Sequence, residues 1–406
     1  MNIRTVTVLG ASGSMGVNVS AIFASFGNAK VYMLSRTKNE KSILKAIKSI
    51  RCGSIKSRLI LADYSELEKC ISESDLVFDS TIEDISIKID INSKVIKYLK
   101  NDAIYVTGTS GLAITKMADA MPEDIREKYF GMHFFNPPYS VTLCELIKTK
   151  YTNATIFSEI QDYLTNVLNR TVVIVKDAPA FLANRIGFHF INKAIQYADQ
   201  YKDEGGIDFI ESILGVFTGR AMSPCMTADF VGLDVHKAIM DNLLNNTNDY
   251  ANELFTTPEY INKLISNNKL GKKTGEGLFK QVCYEDGTKK TLVYDIKTDS
   301  YREKRKFYFD FATKMNAYIK NGDYKLAFDE LLNNNSKEAL ICKEFLKEYV
   351  DYSLYVANEV CDELSYVDDA MATGFNWCPP LVMSNLLFGT NYKTKYDFRS
   401  YFKAGK

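Results

Sequence analysis

The stretch Val6-Thr7-Val8-Leu9-Gly10-Ala11-Ser12-Gly13-Ser14-Met15-Gly16 is a short apolar run that breaks into glycines and resumes as a helical apolar pattern over Val17–Phe26. A buried strand feeding a helix through glycines brings backbone N–H groups and the helix N-terminus up to an anion. Glycine is required wherever a side chain would obstruct that approach or the tight turn. The motif therefore predicts a βα turn that holds a dinucleotide pyrophosphate, with Gly10, Ser12, Gly13, Ser14, Met15 and Gly16 as its contacts. Gly10, Gly13 and Gly16 are spaced three apart, so the loop is one residue longer than the usual G-x-G-x-x-G.

The rest of residues 1–150 extends this unit. Val6–Leu9, Lys30–Leu34, Arg58–Leu61, Asp75–Phe78 and Ala103–Val106 are short and rich in aliphatic or β-branched residues, and helical patterns separate them. Strands alternating with helices predict parallel βαβ units in a doubly wound sheet, to which Thr171–Val175 adds a late strand. From Asp177 the pattern turns helical. Residues 276–310 are polar, with Tyr284-Glu285-Asp286-Gly287-Thr288 read as a turn in a poorly packed connection, and a last helical block follows to 406. The expected organisation is a dinucleotide-binding α/β domain over 1–178, a helical domain over 179–282, a linker over 283–310 and a second, degenerate helical repeat over 311–406. The repeat rests on Asn184–Asp199 with Gly215–Gly232, which parallel Tyr349–Glu363 with Met371–Gly389: a long amphipathic helix, a Gly-aromatic turn, a proline, and an apolar helix ending in glycine.

The second strand ends Met33-Leu34-Ser35-Arg36-Thr37, where NAD-specific folds commonly place a carboxylate for the adenosine ribose. No acid repels a 2′-phosphate here, and Ser35, Arg36 and Thr37 are suited to bind one. NADP is the expected preference, or at least tolerated. If Arg36 instead lies over the adenine face, NAD stays open.

Lys+Arg and Asp+Glu balance at 50 each, which gives no reason to expect a nucleic-acid partner. Eight cysteines without metal-type spacing predict free thiols and no metal site. No apolar run is long enough to span a bilayer, and Met1-Asn2-Ile3-Arg4 leads straight into a strand, so a cytoplasmic address is expected.

Of the three histidines, His133 stands in His133-Phe134-Phe135-Asn136-Pro137-Pro138, and Glu145 follows twelve positions later. Oxidising a secondary alcohol needs a base for the hydroxyl proton, and an imidazole serves near neutral pH. A neighbouring carboxylate fixes its tautomer and stabilises the imidazolium. The Asn136-Pro137-Pro138 break predicts that the chain turns back and lets the pair meet, with Phe134 and Phe135 as walls of low polarity. A lone histidine beside aromatics is more often a satisfied core residue, and spacing alone does not overturn that reading.

The surrounding residues add a family resemblance. Gly131–Pro138 with Glu145-Leu146-Ile147-Lys148-Thr149, Thr109-Ser110-Gly111-Leu112, Asp177–Arg185, Ile82–Lys88 and Asn268–Phe279 together resemble the L-3-hydroxyacyl-CoA dehydrogenase family across residues 3–280. The resemblance implies a Rossmann-type N-terminal domain followed by an all-α domain. It also implies roles: His133 as general base or acid, Glu145 as its orienting group, Ser110 as a hydrogen-bond partner of the substrate oxygen and histidine region, Asn184 completing the polar pocket, and Glu83 and Lys88 near the nicotinamide ribose. Residues 284–390 resemble the trailing half of the dehydrogenase part of larger bacterial members, in which a hydratase domain comes later; this chain is expected to lack one. A second copy packed on the first would mimic a subunit contact, so a monomer is expected, with a homodimer as the alternative.

The family's helical excursion after the second strand, which helps hold coenzyme A, is shortened to Lys38–Ser57. It keeps Lys41, Lys45, Lys48 and Arg51 on one face, suited to CoA phosphates or simply to solvent. The leading expectation is an NAD(P)-dependent enzyme interconverting 3-hydroxyacyl-CoA and 3-oxoacyl-CoA in fatty acid metabolism, with an acyl-CoA thioester as substrate. The alternatives are a dehydrogenase of a non-CoA hydroxy acid, such as a sugar acid or carnitine, and a non-catalytic NADP-binding sensor.

Overall fold

The computed structural model describes residues 1–283 and 287–399; Tyr284–Asp286, part of the turn read from the sequence, lie outside them. The chain divides into two units. Among the described residues one comprises Met1–Leu182 together with Glu359–Phe375, and the other Ala183–Asn358 with residues 376–399.

The first unit is built on an eight-stranded sheet. Its strands are β1 (Thr5–Leu9), β2 (Lys30–Ser35), β3 (Leu59–Asp63), β4 (Leu76–Asp79), β5 (Ile104–Thr107), β6 (Tyr129–Phe134), β7 (Leu143–Lys148) and β8 (Thr171–Lys176). They run in the order β3-β2-β1-β4-β5-β6-β7-β8. β1 to β6 are parallel, β7 is antiparallel to β6, and β8 is parallel to β7. The near-continuous apolar runs suit this arrangement, because helices cover both faces of such a sheet. β4, β5 and β6 are buried along their whole length. Rings link the layers: Phe23 packs on Phe78, and Phe78 on Phe134.

The six strands expected from the sequence are present. β6 and β7 were not recognised as strands, because glycine, histidine and glutamate interrupt their apolar character. Gly131 is required inside β6, since a Cβ there would sit 2.4 Å from Ile114 Cδ1. The strand order reverses beside β1. In an open α/β sheet that places a ligand crevice at the carboxyl edge of the strands. Gly10 follows β1 at this edge, Gly108–Ser110 follow β5, and His133 is the penultimate residue of β6.

The second unit begins with the helix Ala183–Gln200. The stretch 283–310, expected as a linker, instead supplies strands to a small antiparallel sheet of β9 (Phe279–Cys283), β10 (Lys289–Asp295) and β11 (Ser300–Glu303), in the order β11-β10-β9. The many charges masked a strand signal in Thr291–Tyr294. Val293 and Tyr294 are buried, and Arg302 pairs with both Asp295 and the buried Asp208.

The helical repeat has a structural counterpart. Ala183–Gln200 and Lys337–Val360 are its long helices, and Pro224–Val231 and Pro380–Phe388 its short ones. The two Gly-aromatic turns pair directly through an antiparallel bridge between Arg220 and Trp377, with Ala221 N–H donating to Asn376 O and Cys378 N–H to Gly219 O. The Arg220 guanidinium lies 3.7 Å from the Phe190 ring centroid and 4.7 Å from that of Trp377, a cation held between aromatic faces. No helix among the described residues is long and apolar enough to cross a membrane.

Candidate active site

β6 and β7 place His133 directly opposite Glu145 in the antiparallel register. His133 Nδ1 lies 2.8 Å from Glu145 Oε2. Both residues are buried, His133 at 4% exposure and Glu145 at 0%. Glu145 Oε1 accepts a 3.1 Å hydrogen bond from the Leu182 peptide N–H. A buried carboxylate needs such donors to stay charged. The carboxylate keeps the imidazole proton on Nδ1, leaving the Nε2 lone pair as the basic site.

The donor from Leu182 depends on unusual backbone. Ala180 and Phe181 both adopt left-handed conformations, with φ of 58° and 53°. Two such residues in succession cost roughly 1–3 kcal/mol each and persist only where the surroundings over-determine them. Here the turn aims the Leu182 N–H at Glu145 and brings the Phe181 ring to 5.6 Å from His133. Phe135 meets the imidazole edge-on at 4.6 Å. Together they make the low-polarity surroundings anticipated for this histidine, but with Phe181 in place of Phe134, which points into the sheet's core against Phe78.

The glycine loop fits an anionic ligand on its own geometry. Gly10 has φ +72°, and a Cβ there would lie 2.4 Å from the Ser80 carbonyl oxygen. At Gly16 a Cβ would sit 2.5 Å from the Gly10 carbonyl oxygen, so these two glycines serve the turn itself. At Gly13 the nearest atom is 3.4 Å away, and Ser12, Gly13 and Ser14 are exposed. Gly13 caps the helix Ser14–Ser25 without a side-chain hydrogen bond, and the first turn carries no acid. A helix N-terminus with free N–H groups and no competing carboxylate is suited to a phosphate. After β2, Arg36 and Thr37 are exposed, whereas Ser35, the last residue of the strand, is buried and its hydroxyl donates to the Thr37 carbonyl at 2.8 Å.

The remaining site residues fall into separate groups. Glu83 Oε1 accepts from the Ser110 N–H at 2.8 Å and from the Thr109 hydroxyl at 2.5 Å. Glu83 and Ser110, to which the resemblance gave separate roles, are thus brought together. Ser110 is exposed and shares no hydrogen bond with His133. Lys88 is 1% exposed and pairs at 2.8 Å with the fully buried Asp79, which also accepts from the Thr81 N–H and hydroxyl. Asn184 is buried near the start of the helix Ala183–Gln200, in the second unit. Asp177 caps the helix Ile114–Asp119 through the N–H groups of Ile114 and Thr115. Lys41, Lys45, Lys48 and Arg51 are all exposed along the helix Glu40–Ile50 and its cap.

Thr109, Asp79, the Leu182 peptide and Phe181 were not identified as site components from the sequence. Thr109 lay within a quoted motif, but nothing in the linear pattern distinguished its hydroxyl from its neighbours'. The others act through backbone geometry or burial. No group of three or more His, Cys, Asp or Glu among the described residues could hold a metal ion.

Two family models match in sequence: the 3-hydroxyacyl-CoA dehydrogenase NAD binding domain over residues 5–178, and the 3-hydroxyacyl-CoA dehydrogenase C-terminal domain over 181–281. The chain belongs to the 3-hydroxyacyl-CoA dehydrogenase family. It is 27% identical over 392 residues to a Rickettsia felis homologue of the fatty acid oxidation complex trifunctional enzyme, covering 92% of this chain and 52% of that one. The chain thus spans about half the length of the first curated relatives it matches. Human mitochondrial hydroxyacyl-coenzyme A dehydrogenase is 29% identical over 294 residues, covering 68% of this chain and 91% of that one. The solved structure of Escherichia coli 3-hydroxybutyryl-CoA dehydrogenase superposes with a TM-score of 0.68 at 19% identity, over 95% of this chain and 92% of that one, and shows the shared fold.

Proposed function

We propose that this protein interconverts a 3-hydroxyacyl-CoA and the 3-oxoacyl-CoA with a nicotinamide dinucleotide as the redox partner. The observation that carries the reading is the buried His133–Glu145 pair, held in strand register at the same sheet edge as an uncapped glycine turn.

A bound nicotinamide dinucleotide would supply the hydride acceptor for C3 of the hydroxyacyl group, or the hydride donor in the reverse direction. His133 Nε2 accepts the hydroxyl proton as that hydride leaves and donates it back in reduction. Glu145 stabilises the imidazolium across the 2.8 Å contact and holds the tautomer. Phe135 and Phe181 keep the pair in low-dielectric surroundings, where its electrostatic coupling is stronger than in water. The helix start at Ser14, Met15 and Gly16 would hold the pyrophosphate, and Ser110 and Glu83, joined by a hydrogen bond, would lie at the reacting end. Lys88, tied to Asp79, would hold the edge near the nicotinamide ribose. Exposed Arg36 and Thr37, with no acid at the end of β2, support a preference for NADP(H). The exposed stripe Lys41, Lys45, Lys48 and Arg51 supports coenzyme A as the acyl carrier. The paired turns of the helical repeat support a monomer, which light scattering would check.

The test is oxidation of NADH and NADPH with acetoacetyl-CoA, beside a panel of free hydroxy and oxo acids, with His133→Ala as control. Turnover of thioesters that His133→Ala abolishes is expected. Turnover of free acids alone, or tight NADP binding without turnover of either panel, would refute the reading in favour of a non-CoA dehydrogenase or a sensor.

A further inference from the structure

The segment Glu359–Phe375 belongs to the second helical copy by sequence pattern, yet it folds with the sheet that carries His133 and Glu145. It follows β7 from the strand's end back to its start. Lys176 Nζ donates to the Glu359 carbonyl at 3.2 Å, and Lys148, the last residue of β7, pairs with Asp362 at 3.3 Å. At the other end a Cβ on Gly374 would lie 2.4 Å from Leu143 Cδ2, so the backbone passes directly against the first side chain of the strand. Alternation along β7 puts Leu143 and Glu145 on one face. The antiparallel register puts His133 on that same face, opposite Glu145. The segment therefore lies over the face that bears the pair. Burial, and then the Glu145 charge, push the Cys361 thiol up to about 12, which agrees with a path across this carboxylate.

The segment ends in an aromatic ring. Phe375 packs edge-on to Phe135 with centroids 6.3 Å apart, and Phe135 is the ring that meets the His133 imidazole edge-on at 4.6 Å. Phe135 is thus held between the trailing segment and the histidine, and it is buried. Met371, Ala372 and Thr373, which lead into Gly374, are buried as well. The second family model ends at residue 281, so this covering layer comes from a part of the chain that neither model spans.

We infer that Phe375 is a positioning residue for the proton-transfer step: acting through Phe135, it fixes the plane of the His133 ring and keeps water from the His133–Glu145 contact. This rests on the reading proposed above and deepens it, because it gives the second helical copy a part in the chemistry. The contact it protects is 2.8 Å long, and electrostatic coupling across such a contact weakens in proportion as the local dielectric constant rises. Without the Phe375 ring, Phe135 loses its backing, the imidazole is free to tilt, and water can approach the pair. Each of these weakens stabilisation of the imidazolium formed during the reaction and leaves binding of thioester and dinucleotide nearly as it was. The effect therefore belongs in kcat.

The experiment measures kcat and KM with acetoacetyl-CoA, and Kd for NADH and NADPH by titration. Phe375→Ala and Phe375→Leu are each made in the wild-type and in the Glu145→Gln background, and thermal unfolding verifies that each variant folds. In the wild-type background truncation to alanine is expected to lower kcat about tenfold, with KM and Kd within about twofold of the native values. Leucine, which keeps much of the apolar volume, is expected to restore kcat to within about threefold. In the Glu145→Gln background the alanine truncation should cost less than about twofold, because the coupling that the ring protects is already gone. Equal losses in the two backgrounds assign the ring a purely structural role and overturn the inference. So does an unchanged kcat, or a loss seen only in KM or in the unfolding temperature. If the alanine variant does not fold, the leucine variant decides by the same comparison of backgrounds. Absence of thioester turnover in the wild type, or full turnover in His133→Ala, would instead refute the underlying reading, so the two failures are distinguishable.

Discussion

Replacing Glu145 by glutamine tests the core of the mechanism with almost no change in shape. Glu145 Oε1 can still accept from the Leu182 N–H, a bond of 3.1 Å in the native chain. The other end of the side chain then presents an amide NH2 to His133 Nδ1, where a carboxylate oxygen stood at 2.8 Å. Two consequences follow. The proton of the neutral ring is driven to Nε2, the wrong tautomer for a base. The imidazolium that forms during proton transfer also loses its counter-charge. For charge centres about 4 Å apart at an effective dielectric of about 20, that interaction is worth roughly 4 kcal/mol. At 1.36 kcal/mol per decade, kcat should fall on the order of a thousandfold.

The assay is loss of NADH or NADPH absorbance with saturating acetoacetyl-CoA, beside a direct titration of dinucleotide binding, which should change little. His133→Ala combined with Glu145→Gln should be no slower than His133→Ala alone, because the pair acts as a unit. If Glu145→Gln keeps more than about a tenth of wild-type kcat, the carboxylate does not stabilise a catalytic imidazolium and the mechanism is wrong.

Three further outcomes are expected. Arg36→Asp should lower the NADPH to NADH ratio of kcat/KM by about tenfold or more, since a charge-assisted hydrogen bond to phosphate is worth about 1.5–3 kcal/mol; an unchanged ratio would mean Arg36 reads no phosphate. Lys88→Met strands the buried Asp79 carboxylate and should cost about 3–5 kcal/mol by urea unfolding. Most of that loss should return in Lys88→Met with Asp79→Asn, and additive losses would argue against coupling. Acid should destabilise the fold through two histidines. Burial lowers His236 to about 3 and also lowers His189, so as pH drops below about 6.5 the unfolded chain binds protons that the folded chain refuses. Between about pH 6.5 and 3 His236 contributes a slope approaching about 1.4 kcal/mol per pH unit, and His236→Gln should remove it, which unfolding free energies at several pH values would read.

Part of this protein was legible in the linear chain because its physics is local. Glycines at positions 10, 13 and 16 between an apolar run and a helical pattern imply a tight strand-to-helix turn, and the chain makes that turn between β1 and the helix Ser14–Ser25. Six strands announced themselves as aliphatic runs, and the family was carried by clustered motifs that two domain models match. The meeting of His133 and Glu145 was foreseeable from the proline break between them.

The rest depended on contacts between residues far apart in sequence. No periodicity says that left-handed backbone at Ala180 and Phe181 turns a peptide N–H onto Glu145. The charge-rich stretch 283–310 concealed strands because its apolar run, Leu292-Val293-Tyr294, is short and finds its partners through the chain fold. Nor does the sequence disclose that Gly374 and Phe375, more than two hundred residues after His133, lie on the same sheet. Linear pattern records which residues prefer water and which backbone shapes are cheap; which distant surfaces exclude water together is decided only when the chain has folded.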